Sequence, residues 1–263
     1  MKWNAKRAAA ATLGLMMAFQ TAPAVSVQAA QAPEWNTEVL SVSQIGGYES
    51  GQFNVDGGVM EIVAYNRNTG RAYAINGQSG TLASISLKDL QGNGTFEKLE
   101  GTDIDVKGLV EAADSGFAYG DMTSVAVSPD QTTLAAALQA EDYRDPGRVA
   151  LFSCNSDGSL TLKGLAVTGV QPDMVTFANN TTVLTADEGE PREGYGNGTT
   201  DPKGSVTIVN TDSLISRTVG FDAFDGSAQR TALTEEGVVL KKNTAPSVDL
   251  EPEYIAVSGQ KAY

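Results

Sequence analysis

The feature that most constrains this chain is a recurring unit of strand, tight turn, strand and acidic loop. Its clearest copy begins at Asp173. Residues 174–177 are short and β-prone, Ala178, Asn179 and Asn180 supply turn chemistry, and residues 181–185 are β-branched except for Leu184. An acidic loop follows at Asp187, Glu188 and Glu190 and runs on to Asp201, Pro202 and Lys203. Residues 204–210 then read as a third strand and residues 215–221 as a fourth. Four strands in a meander form a sheet that cannot bury both faces alone, so the pattern predicts neighbours of the same kind.

Those neighbours are present. Residues 61–65, 71–76 and 81–87 repeat the order of strand, Asn/Gly turn, strand and strand, and residues 96–106 offer a fourth strand interrupted at Gly101. A further copy runs from Met122 through a turn at Ser128, Pro129 and Asp130 to residues 132–139. An acidic loop with Glu141, Asp142 and Asp145 comes next, and two more strands meet at an Asn155–Gly158 turn. A last copy starts at residues 250–257, with its turn at 258–260. The equivalent first-strand positions are Ile62, Val125, Val175 and Ile255, spaced by 63, 50 and 80 residues. This irregularity is assigned to insertions at 107–120 and 222–247, the second with a short surface helix at 229–236.

The pattern predicts an all-β chain, a β-propeller of four-stranded antiparallel blades at 57–106, 121–168 and 172–221, with a fourth begun at 250–263. A β-sandwich and a β-helix are the alternatives that irregular spacing leaves open. Three blades and a beginning do not close a ring of four to eight. The expectation is therefore the N-terminal portion of a longer propeller over residues 31–263, whose further blades are its partner. A strand at 38–45 is the candidate for ring closure.

Residues 1–30 have the plan of a secretory signal peptide. Lys2, Lys6 and Arg7 precede an apolar run at 8–19, with small-residue cleavage sites ending at Ala29 or Ala32. An uncleaved membrane anchor is the rival, disfavoured because the run is too short to span a bilayer. No second apolar span follows, so the mature chain is expected outside the cytoplasm, at the cell surface or in the periplasm, with no transmembrane segment.

Charge and composition narrow the chemistry. The chain has 32 acidic and 18 basic residues, a formal net charge of −14, which disfavours nucleic acid and anionic membranes as partners. Histidine is absent, so imidazole bases, His-containing triads and His-ligated zinc are excluded. The single Cys154 excludes an intrachain disulfide and reads as a small packed side chain.

Four stretches together resemble the choice-of-anchor I family: Gly57 to Tyr65; Pro172 to Phe177; Asp187, Glu188, Gly189, Glu190 and Pro191; and Leu250, Glu251, Pro252, Glu253, Tyr254, Ile255, Ala256 and Val257. The resemblance runs from about residue 38 to the end. It implies a secreted or surface bacterial propeller, related to YVTN and lactonase-like propellers and sometimes described as alkaline-phosphatase-like, without a settled biochemical role.

In a meander, alternate turns lie at one face. The loops holding Glu141, Asp142, Asp145, Asp187, Glu188 and Glu190 should therefore share a face with the blade-entry links holding Asp173, Glu251 and Glu253. Carboxylates without His or Cys suit a hard cation such as Ca2+, and Asp187, Glu188, Glu190, Asp173 and Glu253 are the candidate ligands. The bland reading is a set of solvated acidic loops, since none has EF-hand spacing. No catalytic residue is assigned, there being no nucleophile-elbow, P-loop or dinucleotide fingerprint. Two functions follow: a non-enzymatic binding or adhesion module for an unidentified surface ligand, stabilised by calcium, or a metal-dependent extracellular phosphoesterase.

Overall fold

A computed structural model of the chain describes residues 42–55, 58–92, 95–195, 198–241 and 243–263. The expected signal peptide at 1–30 and residues 38–41 of the expected closing strand lie outside these. Residues 42–45 form no strand; instead the short β1 (Gly46–Gly47) pairs in parallel with β5 (Glu97–Lys98).

Three four-stranded antiparallel meanders follow. The first holds β2 (Met60–Asn66), β3 (Arg71–Asn76), β4 (Thr81–Ser86) and β6 (Gly101–Asp105). The second holds β7 (Tyr119–Val127), β8 (Thr133–Ala140), β9 (Pro146–Cys154) and β10 (Leu160–Val170). The third holds β11 (Pro172–Asn179), β12 (Thr182–Asp187), β13 (Ser205–Asn210) and β14 (Ser216–Gly220). The chain is thus a partial all-β propeller, and no closed ring exists among the described residues.

The middle sheet explains the stacking. Along β8, Leu134, Ala136 and Leu138 join the core shared with the first sheet, among Tyr73, Leu82 and Phe152. Ala135 and Ala137, pointing the other way, join the core shared with Val175, Phe177 and Val183 of the third. All five β8 positions are fully buried. A strand buried on both faces reads as a continuous apolar run rather than an alternating one. Small alanines allow the neighbouring sheet to approach, and each large apolar side chain withdrawn from water contributes about 1.5–3 kcal/mol.

Three elements differ from the sequence reading. Residues 96–106 are two strands rather than one, because Glu97 and Leu99 donate their N–H groups to Ile45 and Gly47 and divert the first half onto β1. The insertion at 107–120 opens with α1 (Val106–Ala113), which seats Val106 and Val110 in the first core. The expected first strand at 250–257 is mostly unpaired. Only β15 (Val257–Ser258) is a strand, joined in a hairpin with β16 (Lys261–Ala262), while Ile255 packs on Leu184 and Ala186 of the third sheet. The second insertion carries α2 (Ser227–Glu235), a surface helix without a buried residue, and the single turn α3 (Pro246–Asp249).

Candidate functional site

The loop after β12 is folded back by two close approaches. Gly189 has φ +69, and a Cβ there would stand 2.7 Å from the Lys203 carbonyl. A Cβ on Gly204 would stand 2.0 Å from the Leu250 carbonyl oxygen. Glycine at both positions lets the 188–190 loop lie against the strand entering β13 and against the link carrying Glu253.

Gln171 is the hub of this region. It connects β10 to β11, is 1% exposed and adopts φ 54, a left-handed conformation uncommon outside glycine. Its backbone carbonyl accepts the Glu188 N–H at 2.9 Å. Its side-chain amide donates to the carbonyls of Tyr143 (3.1 Å) and Glu190 (2.7 Å), tying the acidic loops of the second and third sheets together. Its Oε1 accepts Arg192 Nε at 3.0 Å. Arg192 in turn meets Glu190 Oε1 at 2.8 Å and donates through Nη2 to Gln139 Oε1 at 3.2 Å.

Around this arginine the carboxylates gather. Glu188 lies in the field of Glu190, Asp173, Glu253 and Arg192, and burial, reinforced by Glu190 and Asp173, pushes its carboxyl up to about 7. Asp173 is also raised, by burial and then by Glu253 and Glu190, with Arg192 opposing. Asp121 is raised by burial first; Glu61 adds to the shift, while its hydrogen bond from Met122 and the charge of Arg192 oppose it. Arg192 thus acts on Asp121, Asp173, Glu188 and Glu190, while Glu61 adds to the field at Asp121 and Glu253 to that at Asp173 and Glu188. These carboxylates are drawn from the starts of β2, β7 and β11, from the loop after β12 and from the link before β15.

Of the candidate ligands, Asp173, Glu188, Glu190 and Glu253 come together, and Asp187 does not. Asp187 is the last residue of β12 and points into the sheet, 0% exposed. Its Oδ1 accepts Thr185 Oγ1 at 2.7 Å. Its Oδ2 accepts Thr207 Oγ1 (2.6 Å), Ser205 Oγ (2.9 Å) and the Gly169 N–H (3.2 Å). Both oxygens are engaged, and strand alternation carries the side chain away from its loop neighbours. Among the described residues no three carboxylates form a metal-ligating group. Two other expected members are also engaged elsewhere. Asp142 is paired with Arg144 at 2.5 Å and held down at about 2. Glu251 turns to Lys241 (3.4 Å), which Asp249 also contacts (3.3 Å).

Gln139, Gln171, Arg192, Asp121 and Glu61 were not among the expected site residues. The buried glutamines had no signal in the sequence, and Arg192 stood in plain view inside the acidic loop. Elsewhere, burial pushes the Cys154 thiol up to about 11, so it stays protonated at neutral pH and serves as a packed side chain.

The family model for the Choice-of-anchor I domain matches residues 61–263. Among solved structures, the chain is similar to a candidate 6-phosphogluconolactonase from Bacteroides fragilis (20% identity, 64% of this chain and 40% of that one, TM-score 0.42). A second such protein, from Bacteroides uniformis, gives 21% identity, 61% and 39% coverage and a TM-score of 0.41. A protein from Lactobacillus plantarum gives 15% identity, 61% and 40% coverage and a TM-score of 0.42. The chain spans about 40% of the length of these structures, and the scores are too low to carry an argument about chemistry.

Proposed function

The chain belongs to the choice-of-anchor I family, one of surface or secreted β-propeller domains, and from that premise we propose that it is a non-enzymatic extracellular binding module whose acidic face takes a cationic ligand. The observation that carries this reading is the gathering of Asp173, Glu188, Glu190 and Glu253 within one another's field, with Arg192 beside Asp173, Glu188 and Glu190. Four carboxylates with a single guanidinium among them are under-compensated, and Glu190 and Asp173 add to the rise that burial imposes on the Glu188 carboxyl. An incoming cation lowers the free energy of the cluster. The carboxylates are spread over several loops rather than closed on one point, which suits an extended cation. Calcium as a stabiliser of the face is the narrower form of this reading; it needs about six to eight oxygens on one point, which the spread of these carboxylates does not favour.

Phosphoester hydrolysis, the other reading, draws no support from this arrangement. The face repels a phosphate dianion.

The test is a calorimetric titration of the full chain with a hexalysine peptide, and separately with calcium chloride while the melting temperature is followed. Saturable hexalysine binding that is lost in the Glu188→Gln, Glu253→Gln double variant supports the reading. Absence of binding at millimolar peptide overturns it, and a melting temperature indifferent to calcium removes the calcium part alone.

A further inference from the structure

The interface between the first two sheets is apolar along most of its length and turns polar at one end. On the face that the first sheet presents to the second, Ile75, Leu82 and Ile104 form a cross-strand row over β3, β4 and β6. In the next row Tyr73 stands beside Ser84 and Thr102, and Arg71, two residues before Tyr73, shares that face. The hairpin between β9 and β10 of the second sheet leans over this polar end, held by Tyr73 Oη, which donates to the Gly158 carbonyl at 2.9 Å. Between them lies a cleft of about 280 Å³. Arg71, Ser84 and Thr102 line one side and Asp157, Ser159 and Leu160 the other, with Ile104 at its edge.

Two opposite charges share this cleft without pairing. Arg71 is half-buried, and its Nη1 donates to the carbonyl (3.4 Å) and hydroxyl (3.3 Å) of Ser84. It enters none of the ion pairs among the described residues, and its Nε and Nη2 donate to none of them. Asp157 Oδ1 accepts the N–H and hydroxyl of Ser159 at 2.9 and 2.7 Å, which leaves Oδ2 open. An anion drawn to Arg71 is opposed by Asp157, and a cation drawn to Asp157 is opposed by Arg71. A zwitterion answers both charges but leaves the hydroxyls of Ser84, Thr102 and Ser159 and the apolar edges of Ile104 and Leu160 without a counterpart. A sugar ring meets all of them, since each of its hydroxyls both donates and accepts and its C–H face is apolar. The volume lies just below that of pockets for drug-sized ligands, enough for one ring. We propose that this cleft binds a neutral monosaccharide unit, with Arg71 donating to its oxygens and Asp157 Oδ2 accepting from its hydroxyls. The site is separate from the acidic face and independent of the function proposed for it.

The experiment titrates the full chain, followed by NMR, with the methyl glycosides of glucose, galactose, mannose and N-acetylglucosamine, and with methyl glucuronide and glycine as charged comparisons. At least one neutral glycoside is expected to bind saturably in the millimolar range, more tightly than either charged probe. Arg71→Met keeps the stem of the side chain and removes the guanidinium, and it should weaken that glycoside about tenfold or more. Thr102→Val, at an exposed position of β6, removes one hydroxyl at nearly constant shape and should weaken it roughly two- to tenfold. Glu188→Gln, on the acidic face, should leave the sugar affinity unchanged. Amide signals away from the cleft that match the parent's show that a variant is folded, and Thr102→Val decides the matter if Arg71→Met is not. If no neutral glycoside binds, or if both cleft variants bind it as the parent does, the inference is overturned. Tighter binding of methyl glucuronide or glycine than of every neutral glycoside overturns it as well, since the cleft then reads charge.

Discussion

Asp187 shows what one residue's burial does to stability. Burial pushes its carboxyl up to about 6, against the pull of three hydroxyls and the Gly169 N–H that stabilise the charge. An aspartate in an unfolded chain titrates near 3.9, so the folded state holds the proton more tightly. Stability from this group is full below about pH 4, is lost as the pH rises toward about 6, and stays lost above it. A displacement of about two pKa units corresponds to on the order of 3 kcal/mol. Asp187→Asn removes the buried charge and keeps the shape. Its oxygen can accept from Ser205, Thr207 and Gly169, and its amide can donate to the hydroxyl of Thr185, which rotates to accept. Thermal denaturation should show the variant more stable than the parent near pH 8 and no more stable near pH 4, whereas a loss at both would mean that the carboxylate itself is required. The same residue marks a boundary of what sequence could tell. Asp173, Glu188, Glu190 and Glu253 were legible as neighbours because turn alternation in a meander decides which loops meet. Asp187 sits one residue before Glu188, and only the point at which β12 ends decides that it turns inward. Gln139 and Gln171 were invisible for a different reason: a polar residue in a strand looks solvent-facing until the neighbouring sheet covers it.

At the scale of elements, the meanders were legible and their ends were not. The hairpins announced themselves through Asn, Asp and Gly at the turns and β-branched residues on either side, patterns set by local chemistry. Helix α1 was passed over as an insertion, since eight residues containing two valines and a glycine have little intrinsic helicity. Tertiary packing makes it a helix, by seating Val106 and Val110 in the first core. Local chemistry contributes one clear term, the Asp105 side chain accepting the Gly108 N–H at 2.8 Å as an N-cap. Asp105→Ala should cost about 1 kcal/mol, and in a chain of this size that lowers the melting temperature by about 2–4 °C. Asp105→Asn, which keeps a capping oxygen, should recover most of the loss. A melting temperature unmoved by Asp105→Ala would mean that packing alone holds the helix.

For the whole molecule, net charge and site chemistry act in the same direction. A formal charge of −14 raises the local concentration of cations everywhere, an attraction that salt screens over about 10 Å at ordinary ionic strength. Binding at the acidic face adds a term that a diffuse field lacks, since the ligand must meet Glu188 in its ionised form. With that carboxyl raised to about 7, Glu188 is mostly protonated near pH 6 and mostly charged near pH 8. A cation that pairs with the ionised group expels the proton, so affinity must rise with pH through this interval, by up to about tenfold where pairing is complete and by less where solvent screens it. Hexalysine is a suitable probe because its own amines stay charged across the range. Titrations near pH 6 and near pH 8, repeated in buffers of different ionisation enthalpy, should show tighter binding at the higher pH and release of a fraction of a proton near pH 7. In Glu188→Gln both signatures should vanish while the salt dependence stays. If the parent chain binds with no pH dependence and an unchanged salt slope, the ligand is held by the overall field, and the gathering of carboxylates around Arg192 is not where it docks.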